Sequence, residues 1–409
     1  MAGFTITDVH PFTGTAFGPL TSVSVEDGLI SGLAGGDTAG EVVDGRGGYL
    51  LPGLIDTHVH IGHADELAAG LRWGVTTMLD MGTPHWDELR GMRDAESDDR
   101  SDVRGVSYPA CAVRGRAVRK MGFPASTAVR GPEDAARWVA ERLRQDPDHL
   151  KIVLEDKLPF QPRPLSPETV AALVAEAHRA GKSVVVHAAS PKAYTTALDA
   201  GADVITHAPI GATLSADLAG RVASSGTAVS PTMVMMRTIL ETMPLKPKRL
   251  DFDHTIASTA ALHEAGATIV LGTDANAGKP SPAAVAHGRA VHEELALLVR
   301  AGLSPADALA AATSRAAAVF GLDDRGVIAP GKRADLVVVR GDPSKRIADV
   351  RNVETVFKDG VAYDPAALIE ATNGTVSEYD FSRLLRWPWN ALIGTLLTWM
   401  VARRVWRWR

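Results

Sequence analysis

The chain has 409 residues, with 43 Lys and Arg against 48 Asp and Glu, giving a formal net charge of −5. Single hydrophobic cores stop growing at roughly 250 to 300 residues, so one large domain and a smaller one are expected. Without a basic stripe, this charge balance argues against nucleic acid as a partner. The single cysteine, Cys111, excludes an intramolecular disulfide, and no signal-peptide pattern opens the sequence, so a cytoplasmic location is expected.

Two segments far apart in the sequence have the pattern of short β-strands separated by turns. Residues 1–50 alternate short apolar runs with turns rich in Gly and Asp, which predicts a β-meander. Residues 326–339 and 353–360 show the same alternation of short apolar runs and turns. Neither segment has enough strands to bury a core alone, so we expect the two to pair. The sequence thus predicts one discontinuous β-sandwich domain from residues 1–50 and 326–365.

Residues 51–325 alternate strand-like apolar runs with Ala-rich helical stretches. Helices are predicted at 132–143, 167–180 and 305–320, because each begins with Pro and the latter two end just before Gly. This alternation implies parallel strands joined by crossover helices. At least six such units within about 270 residues favour a (β/α)₈ TIM barrel over an open doubly wound sheet. The predicted fold class is therefore α/β.

The first predicted barrel strand, residues 51–60, reads LPGLIDTHVH and ends in two histidines separated by one residue. Because side chains alternate along a strand, His58 and His60 point the same way. Two neutral imidazoles side by side form half of a site for zinc or a related divalent metal. Two unrelated strand histidines are the alternative, and the rest of the chain decides between these interpretations.

Polar residues also close or interrupt four later apolar runs. They are Lys151 in HLKIVL, His187 in SVVVH, His207 in VITH and Asp274 in IVLGTD. The C-terminal ends of barrel strands face one common cavity, so these side chains are expected to meet the first histidine pair there. Together the strand-end residues predict a single metal-binding constellation, and His63 is close enough in sequence to line the same pocket.

These residues resemble the metal-dependent amidohydrolase superfamily. The resemblance lies in the order His-x-His, Lys, His, His, Asp, in the lead-in LPGLID, and in the tail GxIxPGKxADL, which begins at Gly326. Within the superfamily, the chain is most similar to the branch that contains imidazolonepropionase and the Xaa-Pro and Xaa-Arg dipeptidases. The resemblance spans about residues 5–362. Its motifs are specific for superfamily and fold and weakly specific for substrate.

By this resemblance, the constellation holds two divalent metal ions, with Zn²⁺ expected. His58 and His60 would bind the first metal, where Asp274 would also sit and handle protons. His187 and His207 would bind the second metal. A mononuclear, deaminase-like centre is the alternative: there His187 and Asp274 join the first pair, and His207 polarises the substrate.

Lys151 matches a position at which many members of the superfamily carry a lysine carboxylated by carbon dioxide, whose carbamate bridges two metals. An unmodified ammonium has no lone pair and could not bind a cation. The Ile, Val and Leu around Lys151 are expected to lower its pKa and so to expose a neutral amine. A solvated lysine at a strand edge is the alternative interpretation.

The reaction that follows is hydrolysis of an amide-type C–N bond in an amide, dipeptide, N-acyl amino acid, lactam or carbamate. A bound metal lowers the pKa of water from 15.7 towards about 7 and polarises the scissile carbonyl. Asp274 would carry the proton from the attacking water to the leaving group. A non-enzymatic homologue is the remote alternative, and it would need gaps in the ligand set, which is complete here.

Three segments are open to more than one interpretation. Where dipeptidase relatives often carry a Gly-Gly-His loop, residues 114–124 read RGRAVRKMGFP, which could meet a substrate carboxylate or be solvated. Residues 233–236 could line a pocket or belong to the core. Residues 382–409 are rich in Trp and Arg, and their uncharged stretch is shorter than the roughly 20 residues that span a bilayer. A peripheral membrane contact, a helix docked on a subunit of a homo-oligomer, or a disordered or packed appendage would each fit them.

Overall fold

The computed structural model describes residues 3–33, 40–95, 97–115, 118–119, 121–155, 164–276 and 283–372. Its strands are β1 (Phe4–Pro11), β2 (Thr21–Glu26), β3 (Leu29–Leu33), β4 (Glu41–Pro52), β5 (Leu54–Val59), β6 (Val75–Asp80), β7 (Asp102–Gly105), β8 (Cys111–Ala112), β9 (Ala128–Val129), β10 (Leu150–Val153), β11 (Val184–His187), β12 (Val204–Thr206), β13 (Ala228–Ser230), β14 (Leu336–Val339), β15 (Val353–Lys358) and β16 (Val361–Tyr363).

The α-helices are α1 (Ala64–Arg72), α2 (Trp86–Asp94), α3 (Ala135–Leu143), α4 (Pro167–Arg179), α5 (Pro191–Asp199), α6 (Ala216–Ser225), α7 (Met233–Thr242), α8 (Phe252–Glu264), α9 (Arg289–Arg300), α10 (Pro305–Ala311), α11 (Ser314–Val319) and α12 (Pro365–Thr372). None of the helices in the described part of the chain is long and apolar enough to cross a membrane. The predicted Trp- and Arg-rich appendage, residues 382–409, lies outside the described residues.

Strands from both ends of the chain share one seven-stranded sheet, in the order β16-β15-β14-β4-β1-β2-β3. Its central strand, β4, runs parallel to β1 and antiparallel to β14. The parallel pair departs from the antiparallel meander that the first 50 residues predict. β2 and β3 occupy one side of β1, and β4 pairs with the other side of β1 instead of continuing next to β3.

Parallel strands build the rest of the molecule, and the predicted α/β class is confirmed. One sheet has the order β5-β6-β7 and another the order β10-β11-β12-β13, with every pair parallel. Single parallel bridges extend these sheets: Val229 pairs with Ile269, and Val59 pairs with Ala275. The segment that carries Ile269 and Ala275 therefore lies between β13 and β5.

The sequence signals at helix ends act as expected in α4. The Ser166 hydroxyl accepts a hydrogen bond from the Thr169 N–H, Pro167 occupies the first turn, and Gly181 follows the helix with a φ of +70°. The helix predicted at 305–320 is wrong in one respect, because it divides into α10 and α11. At the break, the Thr313 hydroxyl donates to the Leu309 carbonyl at 2.7 Å, and the backbone leaves the helical region.

The hydrophobic core lies between the parallel strands and the helices that cover them. Strand residues such as Leu54 and Val75 are buried against helix residues such as Trp138, Leu173 and Leu298. Close-packed contacts of this kind hold each strand in one position. The strand ends, and the polar side chains on them, are therefore held by a rigid support.

Candidate active site

His58, His60 and Asp274 converge where β5 meets the segment that follows Ile269. The Asp274 Oδ1 atom lies 3.3 Å from His60 Nε2 and 3.7 Å from His58 Nε2. One ligand atom from each residue lies within 4.8 Å of the others. Backbone pairing sets this register, because the Asp274 N–H donates to the His58 carbonyl at 2.7 Å and the His60 N–H donates to Ala275 at 2.8 Å.

The other two predicted histidines extend the cluster on its far side. His207 Nδ1 lies 3.8 Å from Asp274 Oδ2. The His207 ring centre is 5.0 Å from that of His58 and 4.3 Å from that of His187. The structure thus brings all four predicted histidines and the aspartate around one space.

Lys151 is the second residue of β10 and is buried, with its Nζ donating to Thr206 Oγ1 at 3.2 Å. Burial lowers the pKa of this amine to about 7, although the charges of Asp274 and Asp80 act in the opposite direction. The direction of this shift, expected from the apolar neighbours in the sequence, is confirmed. The lowered pKa favours the neutral form of the amine.

Burial also decides the charge state of the imidazoles. It lowers the pKa of His58 and of His207 well below the usual value, and the charge of Lys151 lowers both further. His60 differs: burial lowers its pKa, but the hydrogen bond and the charge of Asp274 outweigh burial and raise the pKa overall. His58 and His207 are therefore neutral, with a nitrogen lone pair that a cation could use.

The ring of His60 is held in one orientation. Its Nδ1–H donates to the Gly82 carbonyl at 2.8 Å, which leaves Nε2 as the nitrogen that faces Asp274. A partner of this kind fixes the tautomer of a metal-binding histidine. Gly82 is itself held by Asp80, whose Oδ1 accepts the Gly82 N–H at 2.8 Å.

Two buried carboxylates beside the cluster were not expected from the sequence. Asp80, at the end of β6, also accepts the Ile61 N–H at 2.7 Å. Asp56 accepts the Thr273 N–H at 3.0 Å and the Thr273 hydroxyl at 2.6 Å, so it fixes the residue before Asp274. Burial raises the pKa of Asp56 to about 7 and that of Asp80 to about 6. The signal for Asp80 was available, because it ends the apolar run VTTMLD in the same way as the predicted residues end theirs.

Three residues at the cluster have left-handed backbone conformations that L-residues rarely adopt. The φ angles are +78° for His207, +47° for Thr232 and +58° for Asp274. Such conformations persist only where the surroundings enforce them, and they concentrate at functional sites. Hydrogen bonds do so here: the His207 N–H donates to Ser230, and the Asn276 amide donates to the Asp274 carbonyl.

The other residues considered in the sequence analysis are either exposed or part of the hydrophobic core. His63 is exposed at the start of α1, where its N–H and that of Gly62 donate to the Glu66 carboxylate. Arg114 and Arg119 of the basic loop are exposed, while residues 116, 117 and 120 lie outside the described chain. Residues 233–236 are buried in the core, as the second interpretation of that segment predicts.

The donor set suits a divalent transition metal. Two imidazole nitrogens and a carboxylate oxygen within 4.8 Å of one another match the ligand types of zinc sites. Within the described residues, the buried His58 Nδ1 makes no hydrogen bond. His58, His60 and Asp274 therefore form a candidate metal centre.

The Amidohydrolase family matches residues 49–362, so the chain belongs to this family. An enamidase of Eubacterium barkeri is 27% identical over 375 residues, covering 83% of this chain and 89% of that protein. An imidazolonepropionase of Deinococcus deserti is 44% identical over 88 residues, covering 21% of each chain. A solved Xaa-Pro dipeptidase with bound methionine superposes with a TM-score of 0.77 at 22% identity, covering 89% of this chain and 100% of that chain.

The family match confirms the amidohydrolase superfamily that the sequence motifs indicate. The predicted branch contains two of these similar proteins, the imidazolonepropionase and the Xaa-Pro dipeptidase. The protein is accordingly an enzyme that hydrolyses carbon–nitrogen bonds in a small-molecule substrate.

Proposed function

We propose that the protein is a metal-dependent hydrolase that cleaves an amide-type C–N bond, in an amide, dipeptide, N-acyl amino acid, lactam or carbamate. One observation carries this proposal: ligand atoms of His58, His60 and Asp274 lie within 4.8 Å of one another. A structural homologue that had lost its ligands would not keep this convergence.

Each residue of the cluster has a role in this proposal. A divalent metal ion bound by His58 and His60 would supply an acidified water and a Lewis acid for the scissile carbonyl. Asp274 accepts the proton of the attacking water and returns it to the leaving nitrogen, work for which a carboxylate within hydrogen-bond reach is suited. His207 Nδ1 lies 3.8 Å from Asp274 Oδ2, and at this side of the cluster it would hold either a second metal or the substrate carbonyl.

We infer that residues 51–325 close into a (β/α)₈ barrel with the cluster at its C-terminal end. The parallel bridges from β13 to Ile269 and from β5 to Ala275 support closure. The seven-stranded sheet supports a small domain formed by residues 1–50 and 326–365, against which the barrel strands begin. Active sites of such barrels lie at the C-terminal face, which agrees with the location of the histidines.

The proposal extends to two Zn²⁺ ions bridged by a carbamate on Lys151. The buried, partly neutral Lys151 amine supports carboxylation, since carbon dioxide reacts with the neutral form. Elemental analysis of wild type and Lys151→Ala after mild dialysis tests it. Two metals in wild type and fewer in Lys151→Ala are expected. One metal in both proteins, with unchanged turnover, would favour the mononuclear alternative.

A substrate screen tests the reaction class. Zinc-loaded protein would be offered N-acyl amino acids, dipeptides, lactams and carbamates, with chelated protein as the control. We expect cleavage of at least one class, lost on chelation and restored by Zn²⁺. Equal hydrolysis by chelated and reloaded protein would contradict a metal-dependent reaction. The names of the similar proteins, an enamidase and a Xaa-Pro dipeptidase, make enamides and proline peptides the first compounds to try.

For residues 382–409 we propose a peripheral membrane contact, supported by their Trp and Arg content. Pelleting with anionic liposomes, with and without these residues, tests it. The full chain is expected in the pellet and the shortened chain in the supernatant. Equal recovery of both in the supernatant would remove the proposal.

A further inference from the structure

Glu294 is a fully buried carboxylate outside the metal-ligand cluster, on helix α9. Its two oxygens each accept one backbone N–H from the first turn of α7: Oε1 from Met233 and Oε2 from Val234, both at 2.8 Å. The first N–H groups of a helix have no partner within the helix, so each needs an acceptor from elsewhere in the fold. Glu294 thus caps a helix that belongs to a different part of the chain.

This cap replaces the usual one. In α4, α5, α6 and α10 the serine that precedes the helix accepts an N–H of the first turn through its own hydroxyl. The residue that precedes α7 is Thr232, and its side chain makes no such capping bond. Because Glu294 satisfies the N–H groups of Met233 and Val234, the Thr232 hydroxyl is not needed for the helix.

The Thr232 hydroxyl, which is not used to cap α7, contacts the metal-ligand cluster. Thr232 Oγ1 is 2.8 Å from His207 Nδ1. Thr232 itself has φ +47° and ψ +46°, a left-handed conformation that is unfavourable for a β-branched residue. The first turn of α7, tied to Glu294, begins at the next residue and so holds Thr232 in this conformation.

We propose that Glu294 is a positioning residue, which caps α7 in place of Thr232 and so directs the Thr232 hydroxyl onto His207. The inference rests on the proposed function, in which His207 acts at the metal or on the substrate. Glu294 touches none of the reacting atoms in this scheme. It acts through two backbone N–H groups and one hydroxyl.

Glu293 provides a matched control. It is the preceding residue on α9, it is partly exposed, and it forms an ion pair with Arg237 of α7 at 2.5 Å. Glu293→Gln therefore removes a carboxylate that joins the same two helices, but not the one that caps α7. Glu294→Gln keeps the shape of the side chain and places an amide donor against one of the two N–H donors.

Two readouts test the proposal on zinc-loaded, full-length protein. The first is the imidazole signal of His207 in spectra of protein labelled with ¹⁵N-histidine, assigned with His207→Gln. We expect Glu294→Gln to shift or broaden this signal and Glu293→Gln to leave it unchanged. The second is turnover of a substrate found in the screen. Glu294→Gln should lower kcat by about tenfold, the equivalent of one hydrogen bond, with KM nearly constant.

Thr232→Val separates positioning from folding, because it removes the hydroxyl and keeps the cap on α7. It should reproduce the change in the His207 signal and the loss of kcat. The double variant Thr232→Val/Glu294→Gln should be no slower than the slower single variant, since both act through one contact. If Glu294→Gln does not fold, Glu294→Asp takes its place, and it should give a smaller effect of the same kind.

An unchanged His207 signal in a folded Glu294 variant would overturn the inference, even if the variant were less stable. Additive losses of kcat in the double variant would do the same. The spectroscopic readout needs no turnover, so its outcome is separate from that of the substrate screen, on which the proposed function depends.

Discussion

Within the described residues, the Asp102 cluster and the Asp274 cluster both bury ionisable side chains, and they are organised in opposite ways. One surrounds Asp102, the first residue of β7, where Lys358 Nζ lies 3.2 Å from Asp102 and 3.6 Å from Asp335. Arg325 also forms an ion pair with Asp102, at 2.5 Å. The other is the cluster of imidazoles around Asp274 at the ends of the parallel strands.

In the Asp102 cluster, each charge has an opposite charge beside it. The attraction between opposite charges offsets part of the hydration that each loses on burial. In the Asp274 cluster, one carboxylate faces His58, His60 and His207, and burial lowers the pKa of His58 and of His207. Neutral imidazoles and a carboxylate that lie this close together suit a shared cation. We therefore expect the first arrangement to serve stability and the second to serve chemistry.

The two clusters also occupy opposite ends of the parallel strands. Asp102 begins β7, whereas His58 and His60 lie at and just beyond the end of β5. In α/β barrels the C-terminal ends carry catalysis and the opposite ends carry stability. Variants in the two clusters should therefore have separable effects.

The largest expected effect is on turnover in the Asp274 cluster. Asp274→Asn keeps an oxygen near both imidazoles but loses the base, so kcat should fall by about 10² to 10⁴. Metal content should stay near that of wild type, measured by elemental analysis. Asp253→Asn, an exposed aspartate on α8 that pairs with Arg300 at 3.8 Å, is the control and should be silent. Retained turnover in Asp274→Asn would contradict the role given to this residue.

The Asp102 cluster should show the reverse behaviour. Lys358→Met removes a fully buried ammonium and leaves Asp102 and Asp335 undercompensated, so unfolding free energy should fall by about 3 to 5 kcal/mol. Denaturant titration measures the change, and kcat of the folded variant should be unaffected. The control is Lys345→Met, in an exposed pair with Asp342, which should leave the unfolding free energy nearly unchanged. A lowered kcat in folded Lys358→Met would contradict the claim that the Asp102 cluster acts on stability alone.

A smaller effect tests whether burial alone keeps an imidazole neutral. His149, just before β10, is buried with Nδ1 2.7 Å from Ser183 Oγ, and burial lowers its pKa to about 4. In the unfolded chain, His149 binds a proton near pH 6.5, whereas in the folded chain it does so only near pH 4. The unfolding free energy therefore carries no penalty from His149 above pH 6.5 and falls as the pH drops from 6.5 towards 4. The loss is on the order of 3 kcal/mol.

Wild type and His149→Gln would be unfolded by denaturant at several pH values between 4 and 7. The difference between the two curves isolates His149 from other titrating groups. We expect wild type to lose more stability than His149→Gln as the pH falls. Parallel curves would show that His149 is not kept neutral by the fold.

The strand-end residues of the site could be predicted because each interrupts a local apolar run. His58, His60, His187, His207 and Asp274 are visible in this way, and the structure brings them together. The same rule, applied to VTTMLD, would have found Asp80, which holds Gly82 behind His60.

Other features depend on contacts that no local pattern encodes. Glu294 caps a turn that begins 61 residues earlier in the chain, and Arg325 pairs with Asp102 across a separation of 223 residues. The break between α10 and α11 depends on a single Thr313 hydroxyl, which bonds to Leu309 four residues earlier. In the sequence, Glu294 resembles any other glutamate on a helix.

Metal analysis of purified wild type, His60→Ala and Lys358→Met, side by side, would show whether the Asp274 cluster is a metal centre. We expect at least one divalent transition metal ion per chain in wild type, loss of that metal in His60→Ala, and full metal content in the less stable Lys358→Met. Equal metal content in wild type and His60→Ala, or a metal-free wild type that still hydrolyses its substrate, would contradict this expectation.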